Sequence, residues 1–84
     1  MEKYKVGVIG GTGMVGQRFV TLLENHPWFQ LTVIAASPRS AGKTYEQAVS
    51  GRWAMQTPIP AQAKDIVVMD AQEDVEKIAG LVDF

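Results

Sequence analysis

Apolar residues along this chain fall into short blocks separated by breaks rich in glycine and proline. Val6-Gly7-Val8-Ile9 is a compact, mostly β-branched run, as expected of a parallel strand covered on both faces. After the glycine-rich stretch 10–16, Val15, Phe19, Leu22 and Leu23 recur at helical spacing, with Arg18, Thr21 and Glu24 on the other face. Pro27 disfavours helical geometry in the residue before it, so this helix is expected to end near Asn25 and His26. Residues 31–36 read as a second strand, 37–43 as a loop, and 45–49 as a helical turn or two. Residues 50–63 show no clear period. Pro58 and Pro60 flank Ile59 and argue against a central strand there, while Trp53 and Met55 are expected to pack locally beneath the segment. Residues 66–69 predict a third strand. Asp70 and Glu73 have capping-box spacing, Val75, Ile78 and Ala79 form the apolar face of a short helix, and Gly80 can stop it. Leu81-Val82-Asp83-Phe84 has the pattern of a fourth strand just begun, which suggests a piece of a longer protein.

Strands that alternate with helical segments predict an α/β fold: a parallel sheet with flanking helices, incomplete at its C-terminal end. Length limits this to one small domain, since 84 residues leave no room for a two-domain enzyme. Charge is balanced at net −1 with no basic stripe, which makes nucleic acid a poor partner. Cysteine is absent, so disulfides, thiolate metal sites and thiol nucleophiles are excluded from these residues. His26 is the single histidine, and its place after the first helix points to a role at the helix terminus. No apolar run approaches the ~20 residues that span a bilayer, and the start lacks the pattern of a signal peptide. The expected location is cytoplasmic, with no membrane partner.

The chemistry concentrates in Gly10-Gly11-Thr12-Gly13-Met14-Val15-Gly16. Gly11, Gly13 and Gly16 match G-x-G-x-x-G, and Gly10, Gly13 and Gly16 match G-x-x-G-x-x-G. A pyrophosphate can approach the free N–H groups and positive end of a helix only where the backbone comes close, and glycine permits that. A glycine pattern alone is weak, and the alternative is a tight turn whose glycines serve packing. Its position between a buried strand and an amphipathic helix, with a second strand beyond, makes dinucleotide binding the stronger reading. No Gly-Lys-Ser/Thr closes the motif, so a Walker A loop is excluded.

The residues after the second strand choose between dinucleotides. An NAD site usually places an Asp or Glu there to bind the ribose 2′-OH. Here Ala35-Ala36 leads into Ser37-Pro38-Arg39-Ser40 and Lys43, with no acid before Glu46. Hydroxyls, a guanidinium and an ammonium suit a 2′-phosphate, which a carboxylate would repel. NADP is therefore favoured over NAD, the alternative being a solvated polar loop.

Three stretches together resemble the aspartate-semialdehyde dehydrogenase family: 10–19 with its Met14-Val15-Gly16-Gln17-Arg18-Phe19, then His26-Pro27-Trp28-Phe29-Gln30-Leu31, then 35–45 with its Ser37-Pro38-Arg39-Ser40-Ala41-Gly42-Lys43 loop. The likeness is to the archaeal and fungal type, continues through Arg52-Trp53 and Ile59-Pro60 to the last residues, and covers nearly the whole chain. The resemblance implies a Rossmann-like nucleotide domain at the N-terminus and a separate domain for catalysis and dimerisation. It implies that Thr12, Gly13, Met14 and Val15 line the pyrophosphate and nicotinamide side. Ser37, Arg39 and Ser40 then approach the 2′-phosphate, and Gly10 and Gly16 are the turn and helix-packing glycines. Family members reduce aspartyl phosphate with NADPH, on the route to lysine, methionine and threonine.

That chemistry runs through a cysteine thioester, and this chain has no cysteine, so no catalytic residue is assigned within residues 1–84. The resemblance places the cysteine and the catalytic histidine in a domain absent from this chain, and it makes the longer protein a homo-oligomer. Two alternatives stay open. One is a related acyl reductase, such as a malonyl-CoA reductase or an N-acetyl-glutamyl-phosphate reductase. The other is a stand-alone nucleotide-binding module without redox activity. An open, mostly parallel sheet with an unpaired apolar edge also predicts marginal stability or self-association of the isolated chain.

Overall fold

The structure, a computed structural model, describes residues 3–24 and 26–84. Its elements are β1 (Tyr4–Ile9), α1 (Met14–Leu22), β2 (Phe29–Ala36), α2 (Tyr45–Ala48), α3 (Ala61–Lys64), β3 (Met69–Asp70) and α4 (Val75–Leu81). The three strands form one parallel sheet in the order β1-β2-β3. This is the expected Rossmann-like α/β architecture. Among the described residues, no helix is long and apolar enough to cross a membrane.

β2 is the central strand, and its alternation serves two cores. Leu31, Ile34 and Ala36 pack with Val8, Val20, Tyr45, Val49 and Val68 on one side. Val33 and Ala35 meet Ile78 of α4 on the other. A strand buried on both faces needs an apolar residue at nearly every position, which residues 31–36 supply apart from Thr32.

The last residues lie along the far edge of β1. The Phe84 N–H donates to the Lys5 carbonyl (3.2 Å), and the Gly7 N–H donates to the Phe84 carbonyl (3.0 Å). That pattern is a parallel pairing of Phe84 with the stretch around Val6. β1 therefore has β2 on one side and Phe84 on the other, so the strand order reverses at β1.

Several local expectations shift. The third strand starts later than predicted, because the backbone of residues 66–68 bonds to residues 42–45: Tyr45 N–H to Ile66 O, Gly42 N–H to Val68 O and Val68 N–H to Lys43 O. Only Met69 and Asp70 remain to pair with Ala35 and Ala36. The Asp70 carboxylate accepts from the Gln72 and Glu73 N–H groups, and Asp74 accepts from the Asp70 N–H. The reciprocal partner of Asp70 is thus Asp74, and the bonds close a turn before α4. Of the expected apolar face of α4 only Ile78 is buried, while Val75 and Ala79 are exposed, and the helix passes Gly80 to end at Leu81.

The end expected for α1 near Asn25 falls partly outside the described residues; the regular helix stops at Leu22. His26 donates its N–H to the carbonyl of Leu23, the C-cap of α1 (3.2 Å), while its side chain serves the next element. Its Nδ1 accepts from the Trp28 and Phe29 N–H groups (3.1 and 3.2 Å) and so shapes the entry into β2. Residues 50–63 form no strand; they turn at Gly51, run irregularly past Trp53, and enter α3 from Pro60.

Candidate functional site

The parallel register brings the two chemically marked loops to one edge of the sheet. Ile9 stands opposite Ala35 at the C-terminal ends of β1 and β2. Immediately beyond, the N–H groups of Gly10 and Gly11 both donate to the Ala35 carbonyl, at 2.7 and 3.3 Å. The 10–16 loop and the loop that begins at Ser37 therefore start side by side. The reversal of strand order at β1 places them where open α/β sheets bind ligands, outside the carboxyl ends of the strands.

Gly10, Gly16 and Gly13 each have a distinct local reason, and a Cβ on Gly11 would lie 2.5 Å from Ile34 Cγ2. Gly10 turns the chain with φ at +79°, a region costly for a residue with a Cβ. A Cβ on Gly16 would lie 2.2 Å from the Gly10 carbonyl oxygen and 2.6 Å from the Gly11 Cα, so α1 can sit on the loop only with glycine there. Gly13 is the N-cap of α1, and a Cβ on it would meet nothing nearer than 3.7 Å, which leaves that side of the loop open. Among the described residues no backbone carbonyl accepts from the N–H groups of Thr12, Met14 and Val15. Thr12 is half-buried and Gly13, Met14 and Val15 are exposed. Open N–H donors at the first turn of a helix with a close-approach glycine beside them fit a pyrophosphate.

After β2, Ser37, Arg39 and Lys43 are exposed, whereas Ser40 keeps 4% of its surface. The loop is a tight structure held by Ser40 and Ala41 N–H bonds to the Ser37 carbonyl and by the Gly42 and Lys43 links to Val68. The first acid after β2 is Glu46, exposed on α2, and the Asp70 carboxylate at the end of β3 is engaged by backbone N–H groups. An exposed guanidinium and hydroxyl without a free carboxylate suit a phosphate better than a ribose diol.

Two residues that sequence reasoning missed hold this loop from behind. Gln17 keeps 1% of its surface, and its Nε2 donates to the carbonyls of Thr12 (2.9 Å) and Arg52 (3.1 Å). Its Oε1 accepts from the Ala54 N–H at 2.8 Å. The Tyr45 hydroxyl, fully buried, donates to the Gly11 carbonyl at 2.7 Å. Burial pushes its pKa up to about 12. A signal for Gln17 was present: once Gly16 must touch the loop, positions 17 and 20 share its face. A cavity of about 530 Å³ lies apart from these groups, between β1 and the outer side of α1, lined by Val8, Phe19, Leu22 and Phe84 among others.

The family model for the semialdehyde dehydrogenase NAD-binding domain matches residues 5–82. This chain belongs to that family. The semialdehyde dehydrogenase domain here is 52% identical to an aspartate-semialdehyde dehydrogenase of Archaeoglobus fulgidus, over 76% of this chain and 18% of that protein. It is 47% identical to the enzyme of the same name from Saccharomyces cerevisiae, over 90% of this chain and 20% of that protein. A crystal structure of aspartate-semialdehyde dehydrogenase with NADP from Candida albicans superposes with a TM-score of 0.76 at 45% identity, over 82% of this chain and 19% of that one. The chain thus spans about a fifth of the length of the relatives it matches.

Proposed function

We propose that residues 1–84 are the NADP-binding portion of an aspartate-semialdehyde dehydrogenase, which carries out NADPH-dependent reduction of aspartyl phosphate in cytoplasmic amino-acid biosynthesis. The observation that carries this reading is the pairing, at one sheet edge, of the open N–H groups of 12–15 with the acid-free loop bearing Ser37 and Arg39. The similarity to an enzyme solved with NADP supports it.

In this reading Thr12, Gly13, Met14 and Val15 face the pyrophosphate and nicotinamide side, and Gly10 and Gly16 shape the cradle. Ser37 and Arg39 take the 2′-phosphate, with Ser40 seated beneath them. Bound NADPH supplies the hydride. The cysteine, the catalytic histidine and the dimerisation surface belong to a second domain of a longer, homo-oligomeric protein.

Calorimetric titration of the wild type and Arg39→Ala with NADP and NAD tests the site. A charge-assisted contact to the 2′-phosphate predicts that Arg39→Ala weakens NADP about tenfold or more and leaves NAD unchanged. Equal NADP affinity in the two proteins removes the role assigned to Arg39. The reaction is tested on the protein encoded by the extended reading frame. It should form NADPH from aspartate semialdehyde and phosphate, and activity with malonyl-CoA instead would favour the other acyl reductase.

A further inference from the structure

We propose that Gln17 is a positioning residue for the dinucleotide: with Tyr45, it forms a buried side-chain clamp that sets the glycine loop in its binding shape and makes residues 52–54 part of the same unit. The inference rests on the nucleotide reading of the site and adds to it the residues that act through the loop.

The geometry is specific. A carboxamide offers two N–H donors and an acceptor oxygen, and the three bonds of Gln17 go to three backbone groups in two segments: Thr12 O in the glycine loop, and Arg52 O and Ala54 N–H in residues 52–54. At 1% exposure, these partners cannot be exchanged for water without opening the structure. The Tyr45 hydroxyl fixes the neighbouring carbonyl, Gly11 O. Tyr45 also meets Trp53 edge-on, with ring centroids 6.2 Å apart, so the 52–54 segment is held to the clamp twice.

The consequence for ligand binding follows from peptide planarity. Among the described residues no peptide bond is cis, so the N–H of Thr12 points opposite to the Gly11 carbonyl. Drawing that carbonyl inward turns the Thr12 N–H away from Tyr45, and among the described residues no backbone carbonyl accepts from it. The adjoining Thr12 carbonyl is drawn inward as well, by Gln17. Two consecutive inward carbonyls keep the loop from presenting negative oxygen atoms to a pyrophosphate. A loop already in this shape does not lose its freedom when the ligand arrives, which raises affinity without a direct contact.

The test uses the full 84-residue chain as wild type, Gln17→Leu and Tyr45→Phe, titrated with NADP and with adenosine 2′-monophosphate. The second probe carries the 2′-phosphate and lacks the pyrophosphate. The clamp predicts that Gln17→Leu weakens NADP about tenfold and leaves adenosine 2′-monophosphate within about twofold of wild type, with a smaller split for Tyr45→Phe. Unchanged NADP affinity, or equal loss for both probes, overturns the positioning role. Wild type that binds neither probe refutes the nucleotide reading, and amide hydrogen exchange of the ligand-free proteins then decides the clamp by itself. Gln17→Leu should speed exchange at Ala54 and Gly13 about tenfold or more while Ile34 in β2 stays protected. No change at Ala54 and Gly13 overturns it. Should Gln17→Leu fail to fold, the same measurements on Tyr45→Phe, read at Gly11 and Gly13, whose N–H groups are bonded, decide with the same outcomes.

Discussion

The two sides of α1 differ sharply in what they touch. On one side Gly16, Gln17 and Val20 are buried against the glycine loop and the core. On the other, Val15, Phe19 and Leu22 are 72%, 55% and 59% exposed, although they are the more apolar set. The apolar stripe Val15, Phe19, Leu22 and Leu23 predicted a buried face; only Leu23 packs against the core, and the structure buries the neighbouring side, which contains a glutamine. The reason is the close contact at Gly16. A helix that approaches the Gly10–Gly11 backbone so closely has its rotation fixed by that contact, and positions 17 and 20 follow it inward. The difference teaches that on this helix the functional loop, more than hydrophobicity, decides orientation.

The largest test of this comparison is Gly16→Ala. The added Cβ would overlap the Gly10 carbonyl oxygen, so α1 must rotate or withdraw. Overpacking against backbone predicts a loss of about 3 kcal/mol in chemical denaturation, with NADP binding lost alongside. Retained stability would mean that the Gly16 contact does not set the helix.

Tyr45→Phe comes next. It leaves the buried Gly11 carbonyl without its donor and should cost about 1–3 kcal/mol. It also changes the alkaline limb of the stability curve. Burial raises the Tyr45 pKa from 10.0 to about 12, so the folded state holds this proton more tightly than the unfolded state. The associated stability is complete below pH ~10 and is lost as pH rises toward ~12. Denaturation midpoints between those values should fall less steeply for Tyr45→Phe than for the wild type; parallel curves would contradict the assignment.

The smallest effect belongs to the other side of α1. Phe19→Ser and Leu22→Ser remove exposed apolar side chains and should change the unfolding free energy by no more than about 0.5 kcal/mol. Sedimentation velocity should instead show less self-association, since Phe19 and Leu22 line an apolar groove with Ile9 and Phe84. A large stability loss for either variant would show that the exposed side is structural after all.

Much of the scaffold was legible in the residues. The β-branched runs at 6–9 and 31–36 marked two parallel strands, and the glycines at 10–16 marked the turn between β1 and α1. The acid-free Ser37–Lys43 sequence marked the second loop of the site. The third strand was legible only in part. Residues 66–68 have the β-branched composition of a strand, but their backbone groups find partners at 42–45 before they reach β2. Asp70 and Glu73 have capping-box spacing, but Asp70 closes the turn before α4 and Asp74 is the N-cap of that helix, because only the turn geometry separates residues so alike in chemistry. Gln17 was overlooked for a simpler reason. A polar residue in an amphipathic helix is assigned to solvent by periodicity, and the neighbouring Gly16 is a local signal that does not show the Thr12, Arg52 and Ala54 backbone groups converging on it.

By itself, then, the sequence determined what is set by backbone allowance and local period: a parallel α/β layout, a loop that only glycine can form, and a neighbouring loop suited to phosphate. The tertiary structure alone decided which side of α1 is buried, where β3 begins, and which side chains hold the glycine loop in place. Those outcomes depend on which surfaces meet across sequence separations of 34 to 37 positions, as in the bonds of Tyr45 and Gln17. Such contacts are chosen by steric fit and by the need to pair buried polar groups, and neither is written in the local pattern of a helix.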